Sequence, residues 1–99
     1  MRLNSDQVQA IKQAAQQVLG DDARVTLFGS RTNDAQRGGD IDLLFETPRQ
    51  LDDRVAARGQ LYVKLIRHLG DRKIDVLLKD AGTAEAAVMR VARETGVVL

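Results

Sequence analysis

Asp40 and Asp42 bracket one residue at the head of an apolar run that ends at Phe45, and Asp75 is set inside Ile74-Asp75-Val76-Leu77-Leu78. A strand alternates its faces with period two, so Asp40 and Asp42 leave the same side of the backbone about 6 to 7 Å apart. An unpaired charge in a β-rich apolar run is costly, and three such carboxylates ask for a cation. A hard divalent ion prefers oxygen ligands, and magnesium in particular is held by a few carboxylates with water and substrate phosphates completing its shell. If the strand of Asp75 lies beside the strand of Asp42, all three converge on one edge. Two metal ions about 4 Å apart could there flank a phosphorus under in-line attack, one activating an incoming hydroxyl, the other holding phosphates and the departing pyrophosphate. Asp75 would serve the first ion.

Gly29-Ser30, with nine residues between Ser30 and Asp40, suits the other half of such a reaction. A glycine at a strand exit lets the backbone approach a ligand, a serine hydroxyl can donate to a phosphate oxygen, and a following helical turn points N–H groups at anions. The dipeptide alone is commonplace; its spacing to Asp40-Ile41-Asp42 gives it weight. Arg31 is a candidate phosphate contact, with a solvated loop arginine as the equal alternative. The bland reading of the acidic trio, Asp40 and Asp42 capping a strand in solvent and Asp75 pairing with Arg72, leaves the upstream Gly-Ser unexplained.

The elements that must position these residues are legible in the apolar periodicity. Val8, Ile11, Ala14 or Ala15, Val18 and Leu19 follow helical spacing, with Asn4 or Ser5 to cap the start and Gly20 to end it. Arg24 to Phe28 reads as a first strand and Asp40 to Glu46 as a second, joined through a short helical turn and a loop closing at Gly38-Gly39. Leu51, Val55, Leu61 or Tyr62, Leu65, Ile66 and Leu69 stripe a long helix stopping at Gly70. Lys73 to Lys79 forms a third strand. Gly82-Thr83 caps a last helix with Ala87, Val88, Val91 and Ala92 on one side, and Gly96 closes it. The expected fold is α+β: a small mixed three-stranded sheet with helices, in the order αβ(α)βαβα. The apolar tail Val97-Val98-Leu99 should either dock on the core or meet a partner, which leaves homo-oligomers open.

Ninety-nine residues suit one domain spanning 1–99, without internal repeat or low-complexity tract. A net charge of +1 and three aromatic residues give no general case for direct nucleic-acid binding. Arg54, Arg58 and Arg67 read as a solvated helix face, Met89 as core or interface filler, Tyr62 as a packed residue with its hydroxyl at the rim, and His68 has no assigned role. No cysteine, no membrane-length apolar stretch and no signal-type N-terminus are present, so a soluble, cytoplasmic protein is the simplest expectation.

Taken together, Gly29, Ser30, Asp40, Asp42 and Asp75 resemble the signature of the nucleotidyltransferases of the DNA polymerase beta superfamily: Gly-Ser, about ten intervening residues, Asp-x-Asp on the next strand, and a third acidic residue on a later strand. Gly29-Ser30-Arg31 and Gly39-Asp40-Ile41-Asp42-Leu43-Leu44 look especially like the minimal nucleotidyltransferases of prokaryotes, and the ending Ala92-Arg93-Glu94-Thr95-Gly96-Val97-Val98-Leu99 is also similar. The resemblance implies the nucleotidyltransferase fold, ATP as substrate at Gly29, Ser30 and Arg31, and a two-metal Mg2+ site on catalytic Asp40, Asp42 and Asp75. It also implies a partner, a helical HEPN-family toxin ribonuclease, neutralised when AMP is transferred to one of its tyrosine hydroxyls. Two other readings stand beside this one: an antitoxin acting by occlusion, and a small-molecule enzyme of the aminoglycoside-modifying sort, which would normally need more chain for its acceptor pocket.

Overall fold

The computed structural model describes residues 3–29, 41–70 and 73–99. Helix α1 (Ser5–Leu19) starts where the capping signals place it: the Asn4 side chain accepts from the Gln7 N–H at 2.8 Å, and Gln7 returns its side-chain oxygen to the Asn4 N–H at 3.0 Å. Ile11, Ala14, Ala15 and Leu19 form its buried stripe, and Gly20 closes it. Strand β1 (Arg24–Phe28) leads to β2 (Ile41–Glu46), and the helical turn expected between them lies outside the described residues. Helix α2 (Arg54–Leu69) carries the chain back to β3 (Ile74–Lys79), and α3 (Ala87–Thr95) is followed by β4 (Val97–Val98).

The sheet runs in the order β3-β2-β1-β4. β1 pairs antiparallel with β2 and with β4, whereas β2 and β3 are parallel, as a connection through the 16-residue α2 permits. The sheet therefore has four strands where three were expected. The tail supplies the fourth: Val98 pairs with Thr26, Val97 with Leu27, and the Leu99 N–H donates to the Val25 carbonyl at 2.9 Å. A Cβ on Gly96 would run into the Ala92 and Leu27 carbonyl oxygens, so this residue lets the chain turn tightly from α3 onto β1.

Both sheet faces are covered, which is why four successive residues of β1 are buried. Val25, Leu27, Ile41, Leu43, Phe45, Ile74, Val76 and Leu78 face α1 and α2 in the main core; Phe28, Leu44 and Leu77 meet Met89 and Ala92 of α3 on the other side. Met89 is thus core, as expected, but Val88 and Val91 are exposed, so the apolar side of α3 is not the one its valines suggest. On α2 the buried stripe is Ala57, Leu61, Leu65 and Leu69, while Val55, Tyr62 and Ile66 face outward. The stripe written in the sequence is wider than the sheet and α1 can cover.

Two boundaries differ from the expected ones because of a single carboxylate. Asp80, at 3 % exposure, accepts from the Leu51 N–H at 3.0 Å, the Gly82 N–H at 3.1 Å and the Thr83 hydroxyl at 2.7 Å. Thr83 is consumed in this turn and cannot cap α3, which begins at Ala87 without a side-chain cap. Leu51, tied to Asp80, stays ahead of α2, whose cap is Asp53 accepting from the Ala56 N–H at 2.9 Å. The Thr83 hydroxyl foremost, with the Leu51 N–H next, holds the Asp80 carboxyl below its usual value. Because the unfolded chain binds that proton more tightly, the contribution is full above the unfolded carboxylate range and fades as pH falls through the lower folded value. We expect Asp80→Asn to lower the melting temperature at neutral pH and the gap to wild type to close on acidification below about pH 4, measured by thermal unfolding across pH.

Candidate active site

Alternation along β2 and β3 decides where the predicted acids go. Ile41, Leu43 and Phe45 face α1 and α2, so Asp42, Leu44 and Glu46 take the other face; likewise Ile74, Val76 and Leu78 leave Asp75 and Leu77 opposite. The parallel register then sets Asp42 directly beside Asp75, with backbones about 5 Å apart as neighbouring strands require. Phe28, the last residue of β1, pairs with Asp42 from the other side. Gly29, Asp42 and Asp75 are therefore gathered at one end of the sheet: the exit of one strand and the starts of two others.

Gly29 has φ of +81°, a left-handed conformation that L side chains rarely adopt, and a Cβ there would fall against the Asp42 carboxylate. The sequence suggested that this glycine lets a ligand approach; the structure adds that it makes room for Asp42 itself. Gly29→Ala must either strain the backbone or displace the carboxylate, at a cost of about 1–3 kcal/mol. We expect both lower stability in urea unfolding and weaker transfer activity from this variant.

Asp42 is half-buried and Asp75 exposed. Among the described residues Asp75 makes no ion pair and no side-chain hydrogen bond. Like charges placed side by side in a sheet destabilise it, and a divalent cation would reverse the sign of that interaction. Oxygen donors on adjacent strands fit such an ion. Asp40, Ser30 and Arg31 lie outside the described residues, and within those described no group of three metal-binding side chains forms.

Beneath the two aspartates lies the apolar layer of Phe28, Leu44, Leu77, Met89 and Ala92. At its far end Glu46, on the same face as Asp42, already has its counter-ion: Arg93 Nη2 lies 2.8 Å from Glu46 and 2.6 Å from Glu85. Glu46, then Glu85, raises the Arg93 pKa, and the hydrogen bond from Arg93 lowers that of Glu85. This clamp fastens α3 to the sheet on the face that carries Asp42 and Asp75. Sequence reading missed it, although the alternation Asp42-Leu44-Glu46 was its available signal.

A trough of about 420 Å³ lies at the opposite end of β1, between α1 and β4; Asp21 is its one acidic residue, and neither Asp42 nor Asp75 reaches it. No helix of the described residues is long and apolar enough to cross a membrane. No curated protein matches the chain. The family model of the nucleotidyltransferase domain matches residues 8–94, a span that holds Gly29, the paired aspartates, α2 and most of α1 and α3. With that match over most of its length, and with the mixed sheet and helices described above, the chain belongs to the nucleotidyltransferase domain family and its activity is nucleotidyl transfer.

Proposed function

We propose that this protein is an antitoxin that transfers AMP from ATP to a tyrosine hydroxyl of a partner HEPN-family ribonuclease, releasing pyrophosphate and silencing the toxin. The observation that carries the catalytic part is the in-register pair Asp42 and Asp75, beside a glycine whose missing side chain makes room for the Asp42 carboxylate. The resemblance of Gly29-Ser30-Arg31 and Gly39-Asp40-Ile41-Asp42 to minimal nucleotidyltransferases supports the acceptor and partner.

In this reading Asp40, Asp42 and Asp75 hold magnesium, which when bound neutralises phosphate charge and lowers the pKa of the attacking hydroxyl. The Ser30 hydroxyl and the backbone after Gly29 bind the outgoing phosphates, with Arg31 as a further contact. Asp75, exposed on the edge strand, orients the incoming phenol and takes up its proton. The phenolic oxygen forms its bond to the α-phosphorus as the bond to the bridging oxygen of the β-phosphate breaks, and that electron pair leaves with pyrophosphate. Asp75 lies on β3, the end strand of the sheet among the described residues, which suits an acceptor brought by another protein.

The test is to incubate the purified chain with ATP, magnesium and a HEPN-family ribonuclease of the proposed partner class, then weigh both chains intact. An AMP adduct on a tyrosine of the partner, with loss of its ribonuclease activity, is the expected result. A complex that silences the partner without any mass change would overturn the catalytic reading in favour of occlusion.

A further inference from the structure

The outward face of α2 holds apolar residues that the fold does not use. Val55 is 81 %, Tyr62 43 %, Val63 46 % and Ile66 39 % exposed. At 100° per residue, Val55, Gly59, Tyr62 and Ile66 fall within about 60° of the helix circumference, a straight stripe along a helix of about 24 Å. Val63 widens the stripe on the flank that ends in Arg67. Arg58 borders the other flank, fixed there by donation from Nε to the Val76 carbonyl at 2.9 Å.

Charge on this helix has one sign. Arg54, Arg58, Lys64 and Arg67 are its charged residues, it contains no Asp or Glu, and none of the four forms an ion pair among the described residues. Gly59, in the middle of the stripe, is a second oddity. Glycine weakens a helix interior relative to alanine, and a Cβ at Gly59 would meet nothing within 4 Å, so packing among the described residues gives no reason for it. A notch between Val55 and Tyr62 has a use if another backbone comes close there.

We propose that the outer face of α2 docks an acidic amphipathic helix of another protein, its apolar ridge seated along Val55, Gly59, Tyr62 and Ile66 and its carboxylates opposite Arg58 and Arg67. A second copy of this chain is the wrong occupant, because the same face brought against itself would oppose cation to cation. A lipid surface has no use for a central notch. The docking goes beyond the transfer reaction and does not rest on the acceptor proposed above, since it needs neither nucleotide nor metal.

The test is an NMR titration of the isotope-labelled chain, free of nucleotide and metal, with a designed helical peptide carrying leucines on one ridge and glutamates on both flanks. A matched peptide with lysine flanks is titrated in parallel. The expected result is shifts centred on α2 with the acidic peptide alone, and affinity lower by about tenfold or more in Arg58→Glu/Arg67→Glu. Gly59→Leu separates docking from folding: it should melt no lower than wild type yet lose the peptide by a similar factor. No shifts at millimolar peptide, equal binding of the lysine peptide, or full binding by Gly59→Leu would overturn the proposal. So would sedimentation showing a dimer that Gly59→Leu abolishes, or a preference for vesicles of anionic lipid over the acidic peptide.

Discussion

Asp42→Asn should abolish nucleotidyl transfer, by about 10³-fold or more, while leaving the melting temperature within about 4 °C of wild type. A carboxylate that holds a metal against the reacting phosphate is worth several kcal/mol of transition-state stabilisation, and each 1.4 kcal/mol is a factor of ten. The fold should not suffer in proportion. Asp42 stands beside Asp75 in a parallel pair of strands, where adjacent like charges oppose sheet formation, and asparagine keeps the shape while removing that repulsion. The check is a paired one: a single-turnover transfer assay and thermal unfolding of the same preparation. Unimpaired turnover would remove Asp42 from the site, whereas a collapse in melting temperature would make it structural.

The largest loss of stability is expected at the opposite face of the same strand. Phe45 is fully buried in the central strand β2, between β1 and β3 and under α1 and α2. Phe45→Ala removes its ring contacts and leaves a cavity lined by groups from several elements, at a cost of about 3–5 kcal/mol. A domain of this size commonly holds about 5–15 kcal/mol in all, so the variant should unfold at markedly lower urea, with the m-value unchanged. Val63→Ala, at an exposed position on α2, should stay within about 0.5 kcal/mol of wild type in the same experiment.

Local chemistry explains what could be read without coordinates. The cap candidates Asn4 and Ser5, the glycines after Leu19 and Leu69, and the apolar residues on both sides of Asp42 and Asp75 are all signals within a few residues of what they specify. They point to α1, to the two acid-bearing strands and, on condition that those strands are neighbours, to one edge for their carboxylates. Register was not available in the same way. Nothing local says that Asp42 aligns with Asp75 and not with Ile74 or Val76; the crossover through α2 and the fit of Ile41, Leu43 and Phe45 into one core decide it.

The misreadings have nonlocal causes. A two-residue strand at Val97–Val98 looks like any apolar tail until β1 offers it an edge. Thr83 has the right chemistry for a helix cap, but Asp80 takes its hydroxyl while reaching across to the Leu51 N–H, 29 residues away in sequence. Periodicity on α2 counts apolar residues without knowing how much surface the sheet and α1 have to cover, so the stripe it predicts takes in Val55 and Ile66, and Tyr62 as the alternative to Leu61, which the core does not cover. The Gly29 contact with Asp42 belongs to the same class, since it requires β1 and β2 to be paired first. Ser30, Arg31 and Asp40 carry the rest of the predicted phosphate and metal chemistry from outside the described residues.

The most direct test follows one labelled phosphorus. The chain is given ATP labelled at the α-phosphate or, separately, at the γ-phosphate, with magnesium and a HEPN-family ribonuclease of the proposed partner class, beside an Asp42→Asn control. Nucleotidyl transfer requires retention of the α-label on the partner, appearance of the γ-label in pyrophosphate, and silence of the control. Transfer of the γ-label to the partner, or equal α-label transfer by Asp42→Asn, would contradict it.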